Sequence, residues 1–307
     1  MTELRWLGAA LALVASASTY AAQEAPECAA GNGYTPICGM APPEDLVLSP
    51  DAGFLFLSTT PGLANSHRSR LRTMDLVSHQ VSDMFIEYQA EPGWGEVSCK
   101  ASSATLGAHG IHLSTRVDGR SQLLVVNHNG REAVEFLEPV RDGNGWKAIW
   151  RGCVESQDDS MLNDVAATPD GGFVVTAMFS FSAMKADPHL EKLLDGRATG
   201  HLLAWKPTQG LRRLVASEAP GPNGVQVSQD GQSVWFSAWP GKGIWQYDLQ
   251  QQKVVRKVTL DFLPDNLSWT MDGHLLTAGV PVCRMRIPFA GVSSAMTSSV
   301  PAHRWWL

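Results

Sequence analysis

Val165-Ala166-Ala167-Thr168-Pro169-Asp170-Gly171-Gly172-Phe173-Val174-Val175-Thr176 sets two apolar runs on either side of a Thr-Pro-Asp-Gly turn. Asp-Gly supplies the positive-φ corner that joins antiparallel strands, so the segment predicts a β-hairpin. The same design returns at Leu46–Ser58 around Asp51, at Val225–Ser237 around Asp230-Gly231, and at Leu267–Thr277 around Asp272-Gly273. A looser copy runs from Ile111 through Asp118-Gly119 to Val126. The turns lie about forty to seventy residues apart, room for one four-stranded blade each. The longer interval between Asp51 and Asp118 leaves space for a blade without the signature. Five visible copies and one degraded copy predict an all-β chain folded as a six-bladed β-propeller. A seven-bladed WD-type propeller would carry a Trp-Asp ending, which is missing here. Only Asp187–Leu194 reads as helical, with Leu190, Leu193 and Leu194 on one face.

The rest of the composition bounds what such a fold does. The 307 residues are 44% hydrophobic and 18% charged, with a formal net charge of -6 and no lysine/arginine block. A nucleic-acid partner is therefore not expected, because phosphate affinity needs a basic footprint. Eleven tryptophans are assigned to packing within and between blades. Leu7–Ala17 is an apolar run followed by small residues up to Ala22, which reads as a signal peptide over residues 1–22. A retained N-terminal anchor is the alternative. Export to the periplasm or outside the cell follows from the signal, with one domain over residues 26–307 and no further membrane span. Five cysteines in an exported chain imply disulfides with one thiol left over. Cys99 and Cys153 pair by preference, each lying a short loop ahead of a repeat strand. Cys38 with Cys283 is a second possible bond, leaving Cys28 odd.

One polar position keeps a fixed distance from the turn. Glu44, Asn163, Asn223 and Asp265 each stand seven residues before the turn Asp of their own copy, and Asn266 adjoins the last. In a propeller the innermost strands surround the axis, so these side chains are expected to converge at one end of the channel. Carboxylate and amide oxygens around one point ask for a hard cation, and calcium accepts six to eight such donors. Zinc would want imidazole or thiolate. The competing reading is that each residue is an ordinary turn or cap residue. His109 opens the looser copy and His128 ends its partner strand, so the two can share a proton relay to water. No Gly-x-Ser-x-Gly, His-Glu-x-x-His, Walker or dinucleotide motif is present.

Taken together, Glu44-Asp45-Leu46, His109-Gly110-Ile111, Leu124-Val125-Val126-Asn127-His128, Leu162-Asn163-Asp164-Val165-Ala166, Asn223-Gly224-Val225 and Asp265-Asn266-Leu267-Ser268 resemble the paraoxonase/arylesterase family. That family sits within a wider gluconolactonase and strictosidine synthase-like group. The resemblance covers most of the mature chain and implies a six-bladed propeller with two axial calcium ions. It implies a catalytic calcium on Glu44, Asn163, Asn223, Asp265 and Asn266, and a structural one on Asp45, Asp164 and the backbone carbonyl of Ile111. His109 and His128 would form a dyad, the first activating water and the second supporting it. The implied activity is hydrolysis of lactones and aryl esters. Two segments depart from the family: Thr176–Ser180 lacks an expected acid, and Ser58–Gly62 replaces a tyrosine-bearing loop. Met178, Phe179, Phe181 and Trp239 would make the pocket apolar. The alternatives are a non-catalytic, calcium-stabilised propeller that binds a ligand or partner on its top face, and a sugar lactonase like gluconolactonase.

Overall fold

Four of the Asp-centred turns close in the same way, and that shared closure sets the architecture. The hydroxyls of Ser49, Thr168, Ser228 and Thr270 each donate to the Asp two residues on, at 2.7, 2.5, 2.5 and 2.5 Å. The corner then needs a left-handed residue. Gly171, Gly231 and Gly273 supply it with φ of 82°, 69° and 83°, and Ala52 takes φ 54° in the first copy.

The computed structural model describes residues 36–38, 40–102, 105–187, 190–192, 194–281 and 305–306. One compact unit comprises residues 39–291 and 299–307. Of the other, residues 1–38 and 292–298, only 36–38 are described, and they carry no regular element. The expected signal peptide, Cys28 and Cys283 lie outside the described residues.

In the larger unit β1 (Pro43–Leu48), β2 (Phe54–Thr59), β3 (Arg70–Asp75) and β4 (Val81–Asp83) form one antiparallel sheet in chain order. The second sheet contains β5 (Phe85–Tyr88), β6 (Ala108–Thr115), β7 (Ser121–Asn127), β8 (Ala133–Asp142) and β9 (Gly145–Glu155), ordered β5-β9-β8-β7-β6, with β5 parallel to β9. The third is β10 (Met161–Ala167), β11 (Phe173–Phe179), β12 (His201–Lys206) and β13 (Gly210–Arg213). The fourth is β14 (Pro222–Val227), β15 (Ser233–Ala238), β16 (Gly243–Asp248) and β17 (Lys253–Thr259). The fifth is β18 (Phe262–Trp269), β19 (Leu275–Pro281) and β20 (Trp305–Trp306).

The edge strands β1, β6, β10, β14 and β18 pack side by side in that order, so the sheets radiate from them as the blades of a β-propeller. Five sheets are present among the described residues. The interval between Asp51 and Asp118 does not hold the extra blade expected there. Its strands β3 and β4 complete the first sheet, and β5 joins the second. That stretch has no second Asp-Gly hairpin from which a new sheet could start.

Period-two alternation explains how the blades bury their faces. Leu123 and Val125 of β7 face the first blade, where they meet Phe56 and Leu71; Leu124 and Val126 face the third, where they meet Leu162 and Phe173. Val174 and Val225 join Phe236 and Tyr247 between the third and fourth blades. Trp94, Trp150 and Trp205 are 2% exposed, in keeping with their expected packing role.

The predicted disulfide between Cys99 and Cys153 is present, with Cα atoms 5.5 Å apart. It pins the segment after β5 onto β9. Cys38 is also disulfide-bonded. The helix falls earlier than the leucine spacing indicates, as α1 (Phe181–Ala186), where Ser180 Oγ accepts the Ala183 N–H at 3.1 Å. Asp187 precedes a proline and takes φ -131°, ψ 70°, which ends the helix before the leucines are reached.

Candidate functional site

At the same point on each edge strand the ladder breaks register. The shifts fall between Pro43 and Asp45, Ala108 and Ile111, Leu162 and Val165, Pro222 and Val225, and Pro264 and Leu267. In the last four, two residues of the edge strand oppose one on its partner, the arrangement of a β-bulge. A bulge bends the strand and re-aims side chains. The residues inside these bulges are Glu44, His109-Gly110, Asn163-Asp164, Asn223-Gly224 and Asp265-Asn266. Residues chosen from sequence spacing are therefore the ones the backbone turns out of the sheet.

The structure brings them together. His109 Nε2 lies 3.4 Å from Glu44 Oε1 and 3.2 Å from Asn163 Nδ2. Asn223 stands beside the Asp265 carboxylate and favours its charged form, and Asn266 Nδ2 donates to the Glu44 carbonyl at 2.7 Å. These contacts link all five edge strands. Asn163 Oδ1, Asn223 Oδ1 and Asn266 Oδ1 are each buried without a hydrogen-bond partner. Buried amide oxygens are normally satisfied, and leaving one bare costs about 1–3 kcal/mol, so three at one place point to an electrophile.

The acids give the same signal. Burial first, then the neighbouring Asp45, Asp265 and Asp164 carboxylates, push Glu44 well above the usual carboxylate range. Burial pushes Asp45 up to about 7 and Asp164 well upward, the latter also opposed by Asp45. Asp265 is raised by burial as well. No lysine or arginine offsets them among the described residues; His109 is the sole ion-pair partner, and burial followed by His128 drives its own basicity down. Oxygen donors of this number and hardness suit calcium. Among the described residues, no group of three or more His, Cys, Asp or Glu side chains is by itself arranged to hold a metal, so the amides are needed to complete any ligand set.

Asp45 and Asp164 are placed differently from the other acids. Asp45 Oδ1 accepts Leu46 N–H and Oδ2 accepts Ile111 N–H, each at 2.8 Å. Asp164 Oδ1 and Oδ2 accept Val165 N–H and Val225 N–H, each at 2.7 Å. The group of Ile111 that meets Asp45 is thus its N–H. Each carboxylate clasps the following blade, and the glycine before the clasped amide, Gly110 or Gly224, faces the blade beyond. A Cβ on Gly110 would lie 2.5 Å from the Asn163 carbonyl oxygen, and one on Gly224 2.5 Å from that of Asp265.

His109 and His128 stand as an edge-to-face pair with ring centroids 4.8 Å apart. His109 Nδ1 and His128 Nε2 are both buried without partners. The proposed apolar wall is only partly as expected. Met178 Sδ lies 3.5 Å from Asn163 Nδ2, but Phe179 is 1% exposed and packs with Met178, Leu190 and Trp239, while Phe181 is exposed. A cavity of about 810 Å³ opens at the other end of the edge strands, lined by His112, Gln226 and Trp269, and none of the site residues reaches it.

Two groups of functional residues escaped the sequence reading. Ser58, Thr176 and Ser237 are fully buried, and their hydroxyls hold the bulges. Ser58 Oγ accepts Asp45 N–H at 3.1 Å, Thr176 Oγ1 accepts Asp164 N–H at 2.9 Å and donates to the Asn223 carbonyl at 2.7 Å, and Ser237 Oγ donates to the Asp265 carbonyl at 2.7 Å. A signal existed, since each hairpin copy around these residues ends in Ser or Thr. The second is Glu132, whose Oε1 lies 2.8 Å from His128 Nδ1. It falls outside every repeat.

Comparison with known proteins fits this geometry. Residues 96–287 match the family model described as the SMP-30/gluconolactonase/LRE-like region. Two curated relatives from Arabidopsis thaliana, strictosidine synthase-like proteins 7 and 6, are 23% and 24% identical over 83% of this chain. The match spans 62% of the length of each relative. Among solved structures, Kuenenia stuttgartiensis hydrazine synthase is 14% identical with a TM-score of 0.52, covering 78% of this chain and 68% of that one. At that identity the likeness shows the fold alone.

Proposed function

Since the chain belongs to the SMP-30/gluconolactonase/LRE-like family, we propose that its axial site is a calcium-dependent hydrolytic centre for lactones or aryl esters. The observation that carries this reading is the convergence of three bare amide oxygens with buried acids that have no basic partner. Glu44, Asn163, Asn223, Asp265 and Asn266 would hold one calcium. Asp45 and Asp164, with Ile111 beside them, would hold a second, structural ion. Calcium supplies a Lewis acid that polarises a carbonyl and favours the charge developing on its oxygen.

The chain's own residues do the rest. His109 is neutral in its buried setting and presents Nε2 on the side of Glu44 and Asn163, so it can take a proton from water there. Its Nδ1 faces the interior, where His128 supports the charge that results. The Met178 sulfur beside Asn163 Nδ2 leaves the Asn163 oxygen free to face a cation and favours a substrate with an apolar portion. The paraoxonase/arylesterase branch, rather than a sugar lactonase, suits such a wall.

A signal peptide over residues 1–22 and export remain part of the same proposal. A disulfide and the lack of any helix long and apolar enough to cross a membrane, among the described residues, are compatible with it. The second reading is a non-catalytic propeller that keeps calcium for stability and binds a ligand or partner. The clasps of Asp45 and Asp164 onto backbone amides favour it, because they are structural devices. A panel of γ- and δ-lactones and phenyl acetate, assayed with calcium and with EDTA, separates the two. Calcium-dependent turnover supports the hydrolase. Calcium binding with no turnover on the whole panel selects the binding propeller.

A further inference from the structure

Glu132 belongs to neither the repeat nor the ligand set, yet among the described residues it is the only hydrogen-bond partner of a buried imidazole ring. His128 has a side chain 2% exposed, and its Nδ1 lies 2.8 Å from Glu132 Oε1. Glu132 does not lean on the ring by chance. Its second oxygen accepts the Leu162 N–H at 3.0 Å, next to Asn163 on β10, and its own carbonyl accepts Ser156 N–H at 2.8 Å. The His128 N–H donates to the Gly107 carbonyl at 3.1 Å, so backbone and ring are both held.

A carboxylate only accepts, so the nitrogen facing it must carry the hydrogen. We infer that Glu132 is a positioning residue that fixes His128 as its Nδ1–H tautomer and leaves Nε2 as the bare nitrogen of the ring that packs on His109. This rests on the reading of the histidine pair given above. The two unpartnered nitrogens, His109 Nδ1 and His128 Nε2, then have complementary roles, one a donor and the other an acceptor.

The proton path closes without any added reagent. Water adds its oxygen to the carbonyl carbon while its proton goes to His109 Nε2. The charge that builds on His109 is met by the edge-on His128 ring, 4.8 Å away between centroids, whose Nδ1–H stays on the Glu132 carboxylate. When the bond from carbon to the leaving oxygen breaks, His109 Nε2 returns the proton to that oxygen. Glu132 keeps its charge throughout and touches no reacting atom.

The test is long-range 1H–15N NMR of protein labelled at histidine, with the His128 ring assigned through His128→Gln. The expected result is a His128 ring with its hydrogen on Nδ1, facing Glu132, in the wild type. Glu132→Gln keeps the shape and an acceptor for Leu162 but adds an amide donor, so the tautomer preference should be lost. On the best ester or lactone its kcat should fall roughly tenfold to a hundredfold, with KM within about threefold and calcium affinity unchanged. An Nε2–H tautomer in the wild type overturns the inference, even if Glu132→Gln does not fold. So does an unchanged tautomer, or an unchanged kcat, in a folded Glu132→Gln. If no substrate turns over, the hydrolase reading fails, while the wild-type tautomer still decides the role of Glu132.

Discussion

Gly224→Ala adds one methyl group at a place where two edge strands approach closely. Its Cβ would sit 2.5 Å from the Asp265 carbonyl oxygen, 2.6 Å from Asn266 Cα and 2.8 Å from Leu267 N, all backbone atoms that cannot swing aside. Ordinary contact begins at 3.4 Å, so β14 and β18 must part by about 0.9 Å. Overpacking of this kind costs about 1–3 kcal/mol, which for a chain of this size lowers Tm by roughly 2–5 °C. The same displacement moves Asn223 away from Asp265 and Asn266, three of the five proposed calcium ligands. Calcium affinity should therefore fall at least about tenfold, or about 1.4 kcal/mol. Gly273→Ala is the control: it has φ +83° but nothing within 4 Å of its Cβ, so it costs backbone strain alone and leaves calcium untouched. Thermal melts and calcium titration calorimetry on both variants measure the two effects. A Gly224→Ala protein with wild-type Tm and calcium affinity would refute the idea that close strand approach builds the site.

Other outcomes follow from the same residues. Asn223→Ala and Asp265→Ala should each weaken calcium binding and abolish hydrolysis, whereas His109→Gln should keep calcium affinity and slow turnover roughly a hundredfold; full turnover in His109→Gln removes the base. In EDTA-treated protein the raised Asp45, near 7, binds its proton more tightly folded than unfolded. Stability should then fall as pH rises from about 4 towards 7, and calcium should abolish the slope; a flat pH profile without calcium counts against the buried acid cluster. Replacing Cys99 and Cys153 together by Ala frees a 54-residue separation and should cost about 4 kcal/mol, read from denaturant melts. An unchanged midpoint would mean that the segment after β5 is held by its packing alone.

The repeat made much of this legible. Equal spacing from Asp51, Asp170, Asp230 and Asp272 located the bulges, because the hairpin turn sets the register and the bulge lies a fixed strand length before it. The blade count was harder to read. β3, β4 and β5 have no turn signature, and whether a short strand extends one sheet or begins another depends on distant pairing, as with β5 against β9. The helix was misplaced because the leucine period over 187–194 outweighed a proline that stops a helix one residue earlier. Glu132 stayed hidden for a different reason: a carboxylate in an irregular turn has no period, and only folding sets it against His128.

The clasps at Asp45 and Asp164 have a consequence for how this architecture can be altered. An acid in the first blade grips an amide in the second, and an acid in the third grips one in the fourth, and the residue before each gripped amide is a glycine packed against the blade beyond. No such clasp joins the second blade to the third, where His109 instead meets Asn163. The module that recurs around the axis is thus two sheets rather than one, a donor blade bearing Asp and a receiver blade bearing Gly. Exchange of segments between homologous chains preserves the inner ring when donor and receiver travel together. A donor grafted beside a foreign receiver can leave its buried carboxylate with no amide to hold, whereas the glycine of a receiver answers to the blade beyond it.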